Sequence, residues 1–550
     1  MDSKQDKQGI LKGAMILGAG VFISRLIGLL YRIPITNILG DVGNGLYSMA
    51  YQVYMVILTF TAISMPSALS KLIAEREAVR AYKDAQRVYK IAMIYSVIVA
   101  SILAGIMWIG ADALSMLLFP DAEVGMPIRA LAPTVIIATI IAVMRGYFQG
   151  LNDMTPTAVS QIIEQVFNVV FSVALAYALS KYTVAVAVTG STLGTGIGAL
   201  AGLCVLVIIY YWQKPKIKRK MQRSEEYAYE STATILKKIF VMMFPIVIST
   251  SVFSVMTLID QSMVARSLPS SIEYLKDNHL INIIPVPNAE LLSTKDIVTH
   301  LLGQFSVKYY TLLNVPVSLI LQLGAAAIPA IAAGIAVNDY KDVRRKIKMI
   351  FKSGLLIAAP AAIGLTVFAE PIIALLFSEP TGGKLLASGA IGLLFMALAQ
   401  LSAGILQGMG KPSIPTIHAI IACLIKVGIN IIVLSIPTWH IYGVIHSTTF
   451  CYLVYAVLNI RYLRKHLHMK LNWKKLLIKP SLCASIMGML SYFIYSGLMF
   501  LAPYEKVWII VIIPIAMVIY LLTGLATQTI TKTDLLYIPG GKKIIAFLEG

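Results

Sequence analysis

The chain has 550 residues, of which 58% are hydrophobic and 13% charged, and its formal net charge is +20. Soluble proteins carry roughly twice that charged fraction, and apolar runs of about 18 residues or more, each long enough to cross a bilayer, recur along the chain. This composition excludes a soluble multidomain protein and predicts an all-α polytopic membrane protein.

Hydropathy predicts fourteen transmembrane helices, which we call predicted spans 1 to 14. They cover residues 9–34, 46–69, 88–110, 127–147, 157–180, 183–212, 238–262, 307–335, 350–377, 386–408, 414–436, 441–460, 478–500 and 507–526. A polar segment at about 264–307 is expected as an external loop. The four cysteines fall in apolar runs and are interpreted as small buried residues, with neither disulfides nor a metal site.

The distribution of positive charge sets the orientation. With the N-terminus in the cytoplasm, most of the 46 Lys and Arg residues lie in inside segments, as the positive-inside rule requires. Both termini are then cytoplasmic. The basic clusters Lys214–Lys220 and Arg344–Lys346 are interpreted as topology determinants and neighbours of anionic membrane lipids, and no nucleic-acid partner is expected.

An internal repeat organises the chain. At a constant offset of 258 residues, the charged pattern that begins at Tyr82 recurs at Tyr340, and the glycines and glutamine of 146–150 recur at 404–408. The repeat predicts two parallel six-helix halves plus two extra C-terminal helices. The halves are 1–225 (N-lobe, helices 1–6) and 226–470 (C-lobe, helices 7–12), followed by 471–550 (helices 13–14 and a cytoplasmic tail). Parallel halves of this kind favour a transporter with its substrate between them.

Several motifs carry a family resemblance. The segments Ser24–Tyr47 and Arg145–Pro156, with an echo of the latter at Gly404–Pro412, resemble the MurJ/MVF branch of the MOP exporter superfamily. The sequences of these motifs are most similar to those of the Gram-positive branch that includes stage V sporulation protein B. The resemblance implies an alternating-access flippase in the bacterial cytoplasmic membrane. Its cargo would be an undecaprenyl-pyrophosphate-linked peptidoglycan precursor (lipid II), moved from the inner to the outer leaflet.

Charged residues inside predicted spans are the candidate substrate ligands, because charge is costly within a membrane. Arg25 and Arg32 in predicted span 1 are seven residues apart and share a helical face. Guanidinium groups suit the two phosphates of a polyprenyl-pyrophosphate sugar. The alternative for Arg32 is that it extends to the outer interface or pairs with Asp41.

Predicted span 5 carries a polar face, and the corresponding predicted span 11 carries a lysine. The polar face is expected to line the cavity, with interhelical hydrogen bonding as the alternative. Lys426 is interpreted as a substitute for a bound cation, with Glu164 or Asp260 as its possible carboxylate partner. The resemblance makes Asp260 the ion-coupling candidate. The substrate-binding candidates are Arg25, Arg32, Gln161, Glu164, Gln165, Asn168, Lys426 and Asn430.

The competing functions differ in the residues that they need. A flippase for another undecaprenyl-linked oligosaccharide (capsule, O-unit or spore cortex) is the nearest alternative, and a drug/cation antiporter comes next, although the paired arginines disfavour a cationic substrate. A membrane glycosyltransferase should carry an acidic motif in an external loop, so no enzyme activity is expected. Neither a cofactor nor a metal is expected, and the protein is expected to be a monomer driven by a coupling cation or the membrane potential.

Overall fold

The computed structural model describes residues 30–225, 230–336, 338–502 and 504–531, together with Gly20, Ile23, Ser24, Ile27 and Gly28. Every regular element in these ranges is a helix. Within them, ten helices are long and apolar enough to cross a membrane, or twelve if each of two bent pairs forms one span. The described part of the chain is therefore all-helical, and the protein is an integral membrane protein. Predicted span 1 lies largely outside the described residues.

Eighteen α-helices are named here in chain order. They are α1 Arg32–Leu58, α2 Met65–Ala78, α3 Tyr82–Ile109, α4 Ala111–Leu118, α5 Gly125–Gly150, α6 Thr155–Leu179, α7 Val184–Gln222, α8 Thr232–Asp277, α9 Thr294–Gly303, α10 Tyr310–Ala336, α11 Tyr340–Val367, α12 Ala369–Leu376, α13 Gly383–Gly389, α14 Gly392–Gly408, α15 Ser413–Leu434, α16 His440–Leu467, α17 Lys479–Leu501 and α18 Glu505–Ala526. Short π-helical segments follow α1 and precede α10 and α17.

The connection between predicted spans 1 and 2 is helical, with a break at Gly40. Gly40 has φ 64°, a conformation that favours glycine. The buried amide of Asn44 donates to the carbonyls of Thr36 (3.0 Å) and Gly40 (2.5 Å), which satisfies backbone oxygens at the break. The chain therefore turns sharply here without an irregular loop.

The segment at 264–307, expected as an external loop, is mostly helical rather than irregular. Helix α8 continues to Asp277, two 3₁₀ turns follow at Ile281–Ile283 and Ala289–Leu291, and α9 begins at Thr294. Lys276 donates a 2.6 Å hydrogen bond to the Leu292 carbonyl, which holds the turns against the end of α8. Polar composition misled the prediction, because buried apolar residues such as Leu275 and Ile281 are spaced between the polar ones.

The cysteine prediction holds in part. All four cysteines are free, and Cys423, Cys451 and Cys483 are buried. Cys204 is exposed, because it lies on a face of α7 that no other described helix covers. An apolar side chain on such a face suits a lipid-facing surface, which hydropathy alone does not separate from a buried core.

Helix packing divides the chain into two compact units. The first extends to Arg266 and includes Val298–Gly303, and the second holds Ser267–Ile297 and the chain from Gln304 onward. In the first unit, α5 packs against α2, α3 and α7, and α6 packs against α7. In the second unit, α14 packs against α10, α11 and α16, and α15 packs against α16.

Helix boundaries recur at the offset of 258 residues. Helices α3 and α11 start at Tyr82 and Tyr340 and have 28 residues each, and α4 and α12 have 8 residues each. The interval from Gly125 to Gly150, filled by α5, corresponds to the interval from the start of α13 to the end of α14. Positive φ angles recur as well, at Arg80 and Asn338 and at Asn152 and Gly410.

Glycines of the repeated motif have the same packing role in both units. A Cβ added at Gly146 would lie 2.9 Å from Pro66 Cα, and one added at Gly404 would lie 2.9 Å from the Gly324 carbonyl oxygen. Pro66 and Gly324 are themselves 258 residues apart. Each glycine therefore allows two helix backbones to approach closely, as small residues do in membrane proteins.

Candidate substrate site

Arg32 lies at the start of α1, and its guanidinium carbon is 5.2 Å from the centre of the Tyr47 ring. Tyr47 stacks on Tyr51 at 5.4 Å, and Tyr51 contacts Tyr54 at 5.7 Å, so three aromatic rings continue along α1. A straight helix would separate the Cα atoms of Arg32 and Tyr47 by about 22 Å, so the bend at Gly40 makes this contact. In the described part of the chain, no carboxylate forms an ion pair with Arg32. Asp41, its proposed alternative partner, instead lies 3.2 Å from His300 Nδ1.

The polar face of α6 contains both interhelical contacts and unsatisfied groups. Glu164 accepts a 2.6 Å hydrogen bond from Arg145 of α5. Asn168 Oδ1 accepts from Ser172 (2.8 Å) and from Thr195 of α7 (3.4 Å). Two of the four predicted residues thus form interhelical contacts, as the alternative interpretation of this face expects.

The remaining two residues of that face differ. Gln161 Oε1 is buried without a hydrogen-bond partner among the described residues. Gln165 Oε1 lies 3.2 Å from the position of a Cβ on Gly28, which places Gln165 beside predicted span 1. A buried acceptor without a partner is costly, so Gln161 provides a free polar contact for water or for a polar ligand.

Arg145 is a functional candidate that the sequence-based selection missed. Its Nε donates to Ser160 (3.0 Å), and its guanidinium is paired with Glu164, with side chains 13% and 27% exposed. Arg145 belongs to the motif Arg145–Pro156, but the boundary of predicted span 4 at residue 147 puts it near a helix end. In the second unit, the corresponding positions are Ala403 and Ala422, so the ion pair is particular to the first unit.

Lys426 and Asn430 lie in the second unit, one turn apart on α15. Both are buried, at 3% and 0% exposure. Asn430 accepts a hydrogen bond from Ser447 of α16. By the repeat, these positions match Asn168 and Ser172 of α6, so the same helical turns carry polar side chains in both units.

The remaining predicted residues are placed as follows. Arg25 lies outside the described residues. Asp260 is buried on α8 at 2% exposure. Of the two carboxylates proposed for Lys426, Glu164 is paired with Arg145.

An apolar cavity of about 700 Å³ lies in the second unit among α10, α11, α17 and α18. Its wall is almost entirely hydrocarbon and includes Leu323, Leu356, Pro360, Met487 and Ile513. No sequence pattern selected this cavity, because each residue in it reads as an ordinary apolar position of a membrane helix.

An all-helical membrane body with charged and polar residues inside its helices is typical of a membrane transporter. The sequence matches the family profile for polysaccharide biosynthesis proteins over residues 10–335 and the profile for the lipid II flippase MurJ over residues 289–528. Since the first match covers more than half of the chain, the chain belongs to the polysaccharide biosynthesis protein family. The resemblance predicted from the motifs is confirmed.

Relatives and solved structures are consistent with this assignment. Stage V sporulation protein B of Bacillus subtilis (strain 168) is 24% identical over 439 residues, 80% of each chain. The lipid II flippase MurJ of the same organism is 23% identical over 476 residues, 83% of each chain. An inward-facing multidrug MATE transporter of the MOP superfamily matches with TM-score 0.63 at 18% identity, covering 81% of this chain and 94% of that chain. An inward closed MurJ matches with TM-score 0.62 at 15% identity, covering 93% and 98%. These two structures show the fold.

Proposed function

We propose that this protein is an alternating-access flippase that moves an undecaprenyl-pyrophosphate-linked saccharide, with lipid II as first choice, from the inner to the outer leaflet. The observation that carries the proposal is the Arg32 guanidinium, which lies over an aromatic ring and has no carboxylate partner among the described residues. A cation kept inside a membrane protein without a protein counter-ion is suited to an anionic ligand.

The charge balance of each unit favours an anion. In the first unit the charge of Arg145 is neutralised by Glu164, whereas Arg32 has no carboxylate partner among the described residues. In the second unit the two alanines at the corresponding positions remove that pair, and Lys426 replaces Asn168. The loss of the pair leaves the net charge unchanged, and Lys426 adds one positive charge at a polar position inside the helices. A cationic drug would be disfavoured there, although the MATE transporters share this fold.

A lipid-linked cargo also needs an apolar surface for its polyprenyl chain. The cavity of about 700 Å³ beside α11, α17 and α18 offers one. Burying a long hydrocarbon chain there would stabilise the complex without any polar recognition. The proposal therefore assigns the pyrophosphate to the arginines of the first unit, and the second unit by itself provides an apolar surface of the kind that a polyprenyl chain needs.

The proposal includes a cellular setting. We place the protein as a monomer in the bacterial cytoplasmic membrane with both termini inside, because the basic residues follow that topology. The lobes are proposed as 1–225 and 226–470, with 471–550 as an addition, and Asp260 as a residue for ion coupling. Anionic lipids would border the basic clusters. The driving force would be either a coupling cation or the membrane potential.

A second cargo class is favoured by one comparison. Stage V sporulation protein B is as similar to this chain as MurJ is. We therefore keep another undecaprenyl-linked oligosaccharide, including a spore cortex precursor, as the alternative cargo.

A rescue assay in cells depleted of their own lipid II flippase tests the proposal. Wild type is expected to restore growth, and Arg32→Ala and Arg25→Ala are expected to lose rescue at equal membrane expression. Loss of a hydrogen-bonded charge contact costs about 1.5–3 kcal/mol, which corresponds to a roughly 10- to 100-fold weaker substrate complex.

The matched control is Arg129→Ala. Arg129 is 38% exposed and pairs with Asp112, which is 69% exposed, so its removal should leave rescue intact. Rescue by Arg32→Ala at wild-type level would remove Arg32 from the site. If wild type is well expressed but does not restore growth, lipid II is rejected as the cargo and the alternative cargo is proposed instead.

A further inference from the structure

A second cavity, of about 760 Å³, lies in the second unit between α14, α16 and the π-helical segment Lys474–Ile478. One end of it is hydrocarbon, with Phe395, Leu398 and Leu453 in its wall. The other end is basic, with Arg461, Arg464 and Lys465. This cavity shares no lining residue with the apolar cavity described above.

The geometry of α16 separates the two ends. Leu453, Val457, Ile460 and Arg464 follow at intervals of three or four residues, so they line one face of the helix. From Leu453 to Arg464 this face extends for about 16 Å along the helix axis. Val457 is 52% exposed, so the apolar part of the groove is open to its surroundings and suits a flexible hydrocarbon chain.

No acidic residue lines the basic end of the cavity. Between Glu379 and Glu505 the sequence contains no Asp or Glu, whereas residues 461–479 contain seven Lys or Arg. In the described part of the chain no ion pair involves Arg461, Arg464 or Lys465, and all three are exposed. The half-buried Trp473 lies beside them in the cavity wall, a residue typical of the membrane–water interface.

We propose that this groove binds one anionic phospholipid of the inner leaflet, with an acyl chain along α16 and its phosphate on Arg461, Arg464 and Lys465. The charge pattern of the sequence places this end of α16 on the cytoplasmic side, where anionic headgroups are found. The site does not depend on the identity of the cargo. Its predicted effect is to hold α14, α16 and the start of α17 together through a bound lipid.

Native mass spectrometry of the purified protein in detergent tests this site. Phosphatidylglycerol and phosphatidylcholine with identical acyl chains are titrated, and the first bound lipid is measured. Wild type is expected to bind phosphatidylglycerol at least about tenfold more tightly, since each basic residue near a membrane surface favours an anionic lipid. The triple variant R461Q/R464Q/K465Q should lose that preference while it keeps weak binding of both lipids.

Two further variants complete the test. The control K71Q/K83Q/K90Q makes the same charge change at three exposed lysines of the first unit, outside the two basic clusters, and should keep the tight first phosphatidylglycerol. Val457→Trp fills the apolar groove and should weaken both lipids equally, with folding checked by size-exclusion chromatography. Equal first-lipid affinities in wild type and the triple variant would overturn the proposal. Displacement of phosphatidylglycerol by equimolar undecaprenyl phosphate would also overturn it, because the groove would then belong to the lipid-linked substrate.

Discussion

Substitution of the buried Arg76 is predicted to lower the stability of the first unit strongly. Its side chain is 1% exposed, forms ion pairs with Asp84 and with Glu230 (2.9 Å) and donates to the Leu72 carbonyl (3.1 Å). It therefore connects the end of α2 to the start of α3 and to the segment that precedes α8. The substitution Arg76→Met keeps an unbranched apolar side chain and removes all of these polar contacts.

The size of the loss in stability depends on the carboxylates that remain after the substitution. Removing one partner of a buried ion pair costs about 3–5 kcal/mol, because the other charge is left uncompensated. Asp84 and Glu230 are 13% and 12% exposed, and Glu230 keeps a 2.5 Å contact with Lys238. Both facts reduce the loss, so we expect about 3 kcal/mol, the lower end of that range.

The measurement is the apparent melting temperature in detergent, followed by the loss of the monodisperse size-exclusion peak. Arg80→Ala is the control, because Arg80 is 70% exposed and lies 3.7 Å from Glu225, which is 61% exposed. An exposed pair contributes at most about 1 kcal/mol. The double variant Arg76→Met/Asp84→Asn should recover part of the loss, since it removes the carboxylate that Arg76→Met leaves without its ion-pair partner. Equal melting temperatures for Arg76→Met and Arg80→Ala would refute the reasoning.

Three further predictions concern the helix packing and the interior charges. Gly146→Ala should destabilise the protein by about 1–3 kcal/mol, because the new Cβ would lie 2.9 Å from Pro66 Cα. The control is Gly105→Ala, whose Cβ would have nothing within 4 Å, and it should be neutral or slightly stabilising in the same melting assay. Arg145→Met should lower the melting temperature more than Glu164→Gln, and Arg145→Met/Glu164→Met should be more stable than Arg145→Met alone; additive losses would contradict the ion pair at 2.6 Å. Lys426→Gln should make transport into proteoliposomes depend on an added cation, and unchanged transport with unchanged ion dependence would reject the idea that Lys426 replaces a cation.

Sequence patterning predicted helix positions better than side-chain partners. The repeat was found because charged and glycine positions recur without a gap, and helix boundaries follow the same spacing at Tyr82 and Tyr340. Hydropathy misjudged the segment after Val264, because short amphipathic helices such as α9 lack a long apolar run. Sequence patterning also missed the groove beside α16, because its lining residues come from three separate segments of the chain that only the fold brings together.

The two interior contacts of the first unit nevertheless follow from a simple property of antiparallel helix pairs. When a chain turns back on itself, residues at equal distance from the turn become neighbours. Arg145 and Ser160 are equidistant from the turn between α5 and α6, and they are hydrogen-bonded at 3.0 Å, with Glu164 one helical turn further along. Arg32 lies eight residues before the bend at Gly40 and Tyr47 seven residues after it, and they are in contact at 5.2 Å. Arg32 and Arg145 are therefore positioned by two sharp turns, one of which requires a glycine. Recognising Gly40 as a helix break, rather than as part of a loop, is the sequence signal that would have paired Arg32 with an aromatic ring instead of with Asp41.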